Sequence, residues 1–450
     1  MTRRPALGPG PAPAPAPAAG AVLVGQVELS NGVGDIAAPA RRPGPPYAAV
    51  RLLVRLHGQP LGFVTLPLVD GRLAASAIAE QVSERLGGEV NAHLVEDALE
   101  PVASVTAAGV GAVRDPRCRR RPAGGPGGPL VTVVVATRDR PQRLDRCLEA
   151  LAEVTYAPFE VLVVDNAPST RETLALVRQR SGVDARVRYV RELRPGLSCA
   201  RNRGLGEALG ELVAFTDDDV VVDPGWLDGV VRGFARSPSI ACVTGLVPSA
   251  RLDNAEQRYF DRRVSWAVSC TPRRYDPHAD LQASPLYPYA AGQFGTGANF
   301  AFRTPVLRAL GGFDEALGAG APAGGGEDLD VFVRTILAGH VIAYEPAAIV
   351  WHEHRDELGQ LRRQLFNYDV GLAAFATKYL SDRRTARDIL VRLPGGLRHL
   401  RSIAKRVEGP AELPRTVLTA ELLGLAWGPM AYGLGRQRHR RRHAGRTGLR

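Results

Sequence analysis

Lysine is nearly missing from this chain, and arginine carries almost all of its positive charge. Alanine and glycine are also heavily used, so the bias reads as that of a GC-rich genome and carries no functional weight. Aromatic residues are scarce, at 6%. Basic residues are not interleaved with aromatics, so the stacking platform of a nucleic-acid reader is lacking and no nucleic-acid partner is expected. The five cysteines, Cys118, Cys147, Cys199, Cys242 and Cys270, are odd in number and show no CxxC spacing. That spacing supports neither a disulfide framework nor a structural zinc site, and a reducing, cytoplasmic setting is expected. Near the start, Arg3 and Arg4 are followed by a Pro-Ala repeat rather than an apolar run. Proline at every second position forbids the helical core of a signal peptide, so residues 1–45 are expected to be disordered and semi-extended.

What is present suffices for two or three domains: 450 residues, 45% hydrophobic, with a formal charge of +11. Residues 46–113 read as a small α/β module. Its AVRLLVRL and LGFVTLPL runs are two strands around an HGQP turn, and Ile78, Val82 and Leu86 share a helical face. No chemistry is read in this module. Residues 114–129, with RRRPAGGPGG, read as a linker. From Leu130 the pattern alternates between strand and helix. VTVVVAT, FEVLVVDN, VRYVRE and ELVAFTDDD are apolar strands separated by amphipathic helices. That alternation specifies a mostly parallel, Rossmann-like sheet, which binds ligands beyond the carboxyl ends of its strands. Polar residues stand at those ends: Thr137, Arg138, Asp139 and Arg140, then Asp165 with Asn166, then Asp217, Asp218 and Asp219.

Each of these groups has two readings. Three adjacent carboxylates form either a solvated acidic turn or a site whose cation, Mg²⁺ or Mn²⁺, offsets their repulsion. Asp165 could accept from a ring N–H of a pyrimidine base or cap a helix. Glu327 and Asp328 follow a glycine run at a helix start, where the dipole favours acids and where a general base could also stand. His352 and His354, in WHEH, are structural or are metal or phosphate contacts. The segment around Gly297 and Asn299 is a hairpin turn or a loop whose backbone approaches a sugar or phosphate.

In order and spacing these segments resemble glycosyltransferase family 2, whose members have the GT-A fold, over about residues 130–380. The resemblance implies that Thr137, Arg138, Asp139 and Arg140 form the nucleotide-binding turn and that Asp165 contacts the base. GLSCARNRGL is similar to the family's Ser-x-Ala-Arg-Asn-x-Gly helix, which assigns Arg201 and Asn202 to the donor. FTDDDV resembles the DxD metal motif, with Asp217 and Asp219 as ligands, Asp218 between them at the donor, and His352 as the late histidine. GTGANFAFR resembles the donor and acceptor loop, with Gly297 and Asn299. GGGEDLD resembles the ED motif, with Asp328 as catalytic base beside Glu327. The implied reaction is transfer of a sugar from a nucleotide sugar, a UDP-sugar before GDP or dTDP, to an acceptor hydroxyl with inversion. The acceptor would be a sugar, a lipid-linked molecule or another small molecule. The QxxRW motif of the polymerising branch is missing, which argues for one transfer per acceptor by an actinobacterial-type, non-processive member serving the cell envelope. A nucleotidyltransferase would usually need a glycine-rich loop after the first strand, which ATRDRPQR lacks. A catalytically silent sugar- or nucleotide-binding protein would not need Asp217, Asp219 and Asp328.

Residues 381–450 are expected to be helical. Thr416 to Leu434, TVLTAELLGLAWGPMAYGL, is apolar but holds Glu421, Gly424, Gly428 and Pro429. An Arg-rich tail follows, with Arg436, Arg438, Arg440, Arg441, Arg442, Arg446 and Arg450. An interfacial helix on the inner leaflet, at the cytoplasmic face, is preferred to a true span; a buried packing helix is the alternative.

Overall fold

The computed structural model describes residues 20–41, 44–111, 116–119, 128–264, 269–277, 286–392 and 415–447, with side chains of the last helix from 419 to 441. The Pro-Ala repeat before residue 20, most of the expected linker, residues 393–414 and Arg450 lie outside the described residues. The chain divides into two compact units: residues 1–120 with 251–258, and residues 121–250 with 259–450.

The first unit contains β1 (Ala21–Glu28), β2 (Ile36–Ala37), β3 (Tyr47–Leu56), β4 (Gln59–Pro67), β5 (Arg72–Leu73) and α1 (Ala75–Glu96). β1 pairs with β3 in parallel, and β3 pairs with β4 in antiparallel across a two-residue turn. β1 corrects the expectation of disorder through residue 45. AVLVGQVE escapes the proline repeat, and its backbone groups find partners all along β3. α1 runs ten residues beyond Leu86, because Val90 and Leu94 continue the stripe of Ile78, Val82 and Leu86 into the same core.

The second unit is built on β6 (Val131–Thr137), α2 (Pro141–Ala152), β7 (Phe159–Asn166), α3 (Glu172–Ser181), β8 (Val187–Glu192), α4 (Leu197–Glu207), β9 (Leu212–Asp217), β10 (Val220–Val222), α5 (Trp226–Ala235) and β11 (Ile240–Leu246). It continues with α6 (Ala255–Arg263) from Tyr259 onward, β12 (Arg273–Tyr275), β13 (Asn299–Arg303), α7 (Thr304–Ala309), α8 (Glu327–Leu337), β14 (Val341–His352), α9 (Leu358–Leu380) and α10 (Arg415–Thr447). One sheet runs β10-β14-β11-β13-β9-β6-β7-β8, with β12 also on β14. β6, β7, β8 and β9 are parallel, as are β11 and β14, whereas β13 is antiparallel to both its neighbours. The sheet is therefore α/β, mostly parallel, with helices covering both faces. β6 and β7 are buried at every residue, which explains their unbroken apolar runs.

Two close backbone approaches depend on glycine. Gly326, at φ 87°, precedes α8, and a methyl group there would lie 2.6 Å from the Gly371 carbonyl of α9. Gly428 of α10 lies against the same helix; a methyl group would meet Ala373 Cβ at 2.3 Å. The glycines that weaken α10 as an isolated helix thus seat it on α9. The opposite face leaves Leu422, Leu423, Leu425, Trp427 and Met430 exposed. Among the described residues no helix is long and apolar enough to cross a membrane.

Candidate active site

Strand register assembles the site. β6, β7 and β9 run side by side, with Thr137 opposite Asp165 and Ala136 opposite Asp217. β10 turns back from Asp219 and pairs with β14 so that Val220 faces His352. A histidine far away in sequence is thereby brought beside the acidic turn. One oxygen each of Asp217 and Asp219 and one ring nitrogen of His352 lie within 4.8 Å of one another. Two carboxylates and one imidazole suit Mn²⁺ or Mg²⁺, and the imidazole favours Mn²⁺ over Mg²⁺.

A hydrogen-bonded chain behind His352 sets its tautomer. The Ser249 hydroxyl donates to Asp261 Oδ1 at 2.6 Å, and so its oxygen accepts from His354 Nε2 at 2.8 Å. His354 is buried under the Phe260 ring, and burial pushes its pKa down to about 2. The neutral ring therefore accepts at Nδ1, and His352 Nδ1, 3.1 Å away, donates to it. His352 thereby presents its other ring nitrogen, Nε2, to Asp219 Oδ1 at 3.6 Å. Such outer hydrogen bonds orient an imidazole for a metal.

The three aspartates are not equivalent. Burial raises the Asp217 pKa in spite of Arg201. Burial also opposes ionisation of Asp219, but His352, Arg140, Arg355 and Arg143 outweigh it and its pKa is lowered. The three guanidiniums stand 3.4, 3.2 and 3.2 Å from Asp219 Oδ2, in the order Arg140, Arg355, Arg143. Asp218 turns inward and is fully buried, accepting from the Thr137 hydroxyl at 2.6 Å and pairing with Arg140 at 2.8 Å. Burial carries its pKa up to about 7. Asp218 therefore braces the Thr137–Arg140 turn from beneath. Asp139, in the left-handed region at φ 52°, accepts the Ser169 N–H at 2.9 Å and ties that turn to the loop after β7. Arg138 is exposed beside it.

Asp165 is completely buried, accepts the Tyr189 hydroxyl at 2.8 Å on Oδ2, and has no hydrogen-bond partner for Oδ1. Burial raises its pKa. A buried carboxylate oxygen without a donor costs about 1–3 kcal/mol or more, and a ligand N–H could offset that cost.

Three of the expected donor and loop residues are engaged by other parts of the protein. Arg201 does not face an open donor cleft. It is buried and donates to Glu327 Oε1 at 2.8 Å, the Gly297 carbonyl at 2.8 Å and Asp217 Oδ1 at 3.3 Å. Asn202 spends its amide on the backbone of Phe313, donating at 2.9 Å and accepting at 2.7 Å. Asn299 is buried, donates to the Leu246 and Ala348 carbonyls at 3.1 and 2.8 Å, and accepts from Trp226 Nε1 at 2.8 Å. All three make several hydrogen bonds inside the protein.

Glu327 and Asp328 diverge at the first turn of α8. Glu327 is buried against Arg201, and burial followed by the Asp328 charge raises its pKa. Asp328 is only half-buried and lies beside Gly297, where a methyl group would come within 3.1 Å of Oδ2. Gly297 thus stands between the half-open carboxylate and the buried arginine. Arg143 and Arg355 were not legible as site residues, although each sits within three residues of one that was: Arg140 and His354.

Residues 126–367, more than half of the chain, match the family model described as glycosyltransferase like family 2. The chain belongs to this family. Among similar family 2 proteins is the pre-mycofactocin glycosyltransferase of Mycobacterium tuberculosis, 27% identical over 312 residues, covering 67% of this chain and 61% of that protein. Another is the glucosyl-dolichyl phosphate glucuronosyltransferase of Haloferax volcanii, 26% identical over 191 residues, covering 42% of this chain and 57% of that protein. The chain thus spans about three fifths of the length of each of these relatives. A solved mannosyltransferase of Pyrobaculum calidifontis, in complex with GDP-Man and Mn²⁺, is similar at TM-score 0.43 and 21% identity, over 69% of this chain and 86% of that one.

Proposed function

We propose that this chain is a glycosyltransferase that moves a single sugar from a nucleotide sugar, a UDP-sugar in preference to GDP- or dTDP-sugars, to an acceptor hydroxyl with inversion. The catalytic domain is taken as residues 130–380. The observation that carries the reading is the convergence of Asp217, Asp219 and His352 within 4.8 Å, at the same strand ends as Asp165 and on the Arg201 strut that leads to Asp328. A bound Mn²⁺ or Mg²⁺ would supply positive charge to the leaving diphosphate.

The chain's own residues account for the rest. The unpartnered Asp165 Oδ1 accepts a ring N–H of the base. Arg140, Arg143 and Arg355 lend positive charge where a diphosphate would lie. Asp328 takes the proton from the acceptor hydroxyl as its oxygen attacks the anomeric carbon opposite the leaving group. The bond to the diphosphate oxygen breaks, its electron pair leaves with the nucleoside diphosphate, and the anomeric centre inverts. Arg201 keeps Glu327 in place, so that the first turn of α8, which bears Asp328, stays registered to Asp217.

The missing QxxRW motif supports a single transfer, and the expected setting is a cell-envelope pathway. The exposed apolar face of α10, followed by arginines, supports peripheral attachment to an inner leaflet and a lipid-linked acceptor. The Haloferax relative, named for a dolichyl phosphate substrate, supports that acceptor class. Thermal-shift titration with UDP-, GDP- and dTDP-sugars, with and without Mn²⁺, tests the reading. Wild type should be stabilised by one UDP-sugar only when Mn²⁺ is present, and Asp219→Ala should lose that dependence. Equal UDP affinity in chelator and in Mn²⁺ would overturn the metal role.

A further inference from the structure

A second cluster lies in the first unit, on residues to which the sequence reading assigned no chemistry. His57 occupies the β3–β4 turn at φ 54°, a conformation that L-residues adopt rarely. Glu28 holds this turn by accepting the N–H groups of His57 at 2.9 Å and Gly58 at 2.8 Å. The turn directs the His57 imidazole inward, with its side chain 1% exposed. His93 and Asp97 stand four residues apart at the end of α1, on one face. Cys118 approaches from the short helical turn Arg117–Arg119.

All four side chains meet at one oxygen. His57 Nδ1 lies 2.7 Å, His93 Nε2 3.3 Å and Cys118 Sγ 3.0 Å from Asp97 Oδ2. Asp97 Oδ1 is separately occupied by the Cys118 N–H at 2.7 Å. A carboxylate oxygen offers about two lone-pair directions, so three donors aimed at one oxygen exceed what it can accept. His93 Nε2 accordingly makes no well-formed hydrogen bond, although the residue is only 8% exposed.

We propose that His57, His93, Asp97 and Cys118 bind one structural zinc ion. One ligand atom from each lies within 4.8 Å of the others. Two imidazole nitrogens, a carboxylate oxygen and a thiolate make a four-coordinate set suited to Zn²⁺ and unsuited to Mg²⁺ or Ca²⁺. On binding, the Cys118 thiol releases its proton to water, and thiolate plus carboxylate neutralise the two charges of the ion. Four protein ligands, with His57 and Asp97 buried, leave no open position, so the ion would clamp the hairpin turn, the end of α1 and the Cys118 segment rather than catalyse. The proposal is independent of the glycosyltransferase reading.

The test uses the full chain. Metal analysis after gel filtration should find about one zinc per chain. Removing it with chelator and adding Co²⁺ should give the visible bands of tetrahedral cobalt and a thiolate-to-cobalt charge-transfer band. Cys118→Ser should abolish the charge-transfer band, because the Asp217–Asp219–His352 group contains no thiol. His57→Asn, which tolerates the left-handed turn, should weaken Co²⁺ binding by more than about 100-fold while the circular dichroism of the chain is kept. If Cys118→Ser does not fold, the His57→Asn titration decides alone. A well-folded wild type that retains no zinc and gives no tetrahedral cobalt bands overturns the proposal. So does a charge-transfer band that survives in Cys118→Ser.

Discussion

Two groups of ionisable residues in this chain look alike as inventories and differ as environments. The Asp217–Asp219–His352 group stands at strand ends, ringed by Arg140, Arg143 and Arg355. The His57–His93–Asp97–Cys118 group is enclosed by one small module, where two imidazoles stand at the carboxylate. The first has hard oxygen ligands and surplus positive charge, which suits an ion that arrives with an anionic substrate. The second has softer ligands whose charges balance a divalent ion by themselves. An exchangeable site and a permanent one are thus told apart by what surrounds the carboxylates rather than by how many there are.

The largest effect should come from the residue that ties the first group to reaction. Asp328→Asn keeps the shape and removes the basicity, so turnover should fall by roughly 10²–10⁴-fold. Donor affinity, read by calorimetry, should stay within about 3-fold, because no donor contact is assigned to Asp328. Near-full transfer activity in the mutant would move the role to Glu327. That outcome would strain the present picture, since Glu327 is buried against Arg201.

Arg201→Met probes the strut beneath the open group. It leaves Glu327 and Asp217 facing each other without the guanidinium, with side chains 6% and 29% exposed. Breaking a buried pair in this way costs about 3–5 kcal/mol, read as a lower denaturant midpoint. If stability changes by less than about 1 kcal/mol and only the donor KM rises, Arg201 is a donor ligand after all, as its motif first implied.

These placements mark how far the sequence was legible. The runs VTVVVAT, FEVLVVDN and LVAFTDDD each end on the polar residue that the sheet delivers to its carboxyl edge, so sheet and edge could be read directly. The inward turn of Asp218, Arg201, Asn202 and Asn299 could not, because adjacent positions in a motif differ only in which way tertiary packing points them. β1 was hidden by its proline-rich neighbours; its partner, β3, is not adjacent in sequence. The zinc-type cluster draws on a turn, a helix end and a distant cysteine, and no short-range spacing announces it. Gly424 and Gly428 interrupt an apolar run in the sequence, yet they are what allow α10 to approach α9.

His354→Phe separates the two groups directly. The variant keeps a ring against Phe260 but removes the acceptor that holds the His352 Nδ1 proton. Mn²⁺ affinity, measured by electron paramagnetic resonance without nucleotide, should drop about 10–100-fold. The zinc content of the same preparation should be unchanged. Loss of both metals together would mean that the two groups are not independent, and unchanged Mn²⁺ binding would remove the tautomer argument.

The smallest effect should arise at Glu28, which shows how the enclosed group is prepared without any ion. Burial works against its ionisation, but the Ser30 hydroxyl and the backbone N–H groups of Gly58, Ser30 and His57 outweigh it, so its pKa lies below the usual glutamate value of 4.5. A carboxylate with a depressed folded-state pKa adds stability that is present above its unfolded pKa and disappears as pH falls through the folded one. Glu28→Gln keeps a carbonyl acceptor but gives up the charge-assisted bonds, so it should cost about 1 kcal/mol at neutral pH. The difference from wild type should shrink as pH falls below the usual glutamate value and vanish once pH is below the lowered folded-state pKa. Measured in chelator, that difference should persist, because the hydrogen bonds that set the left-handed turn at His57 come from protein alone. If chelator erases it, the ion rather than Glu28 shapes the turn, and the order of assembly is reversed: metal first, hairpin second.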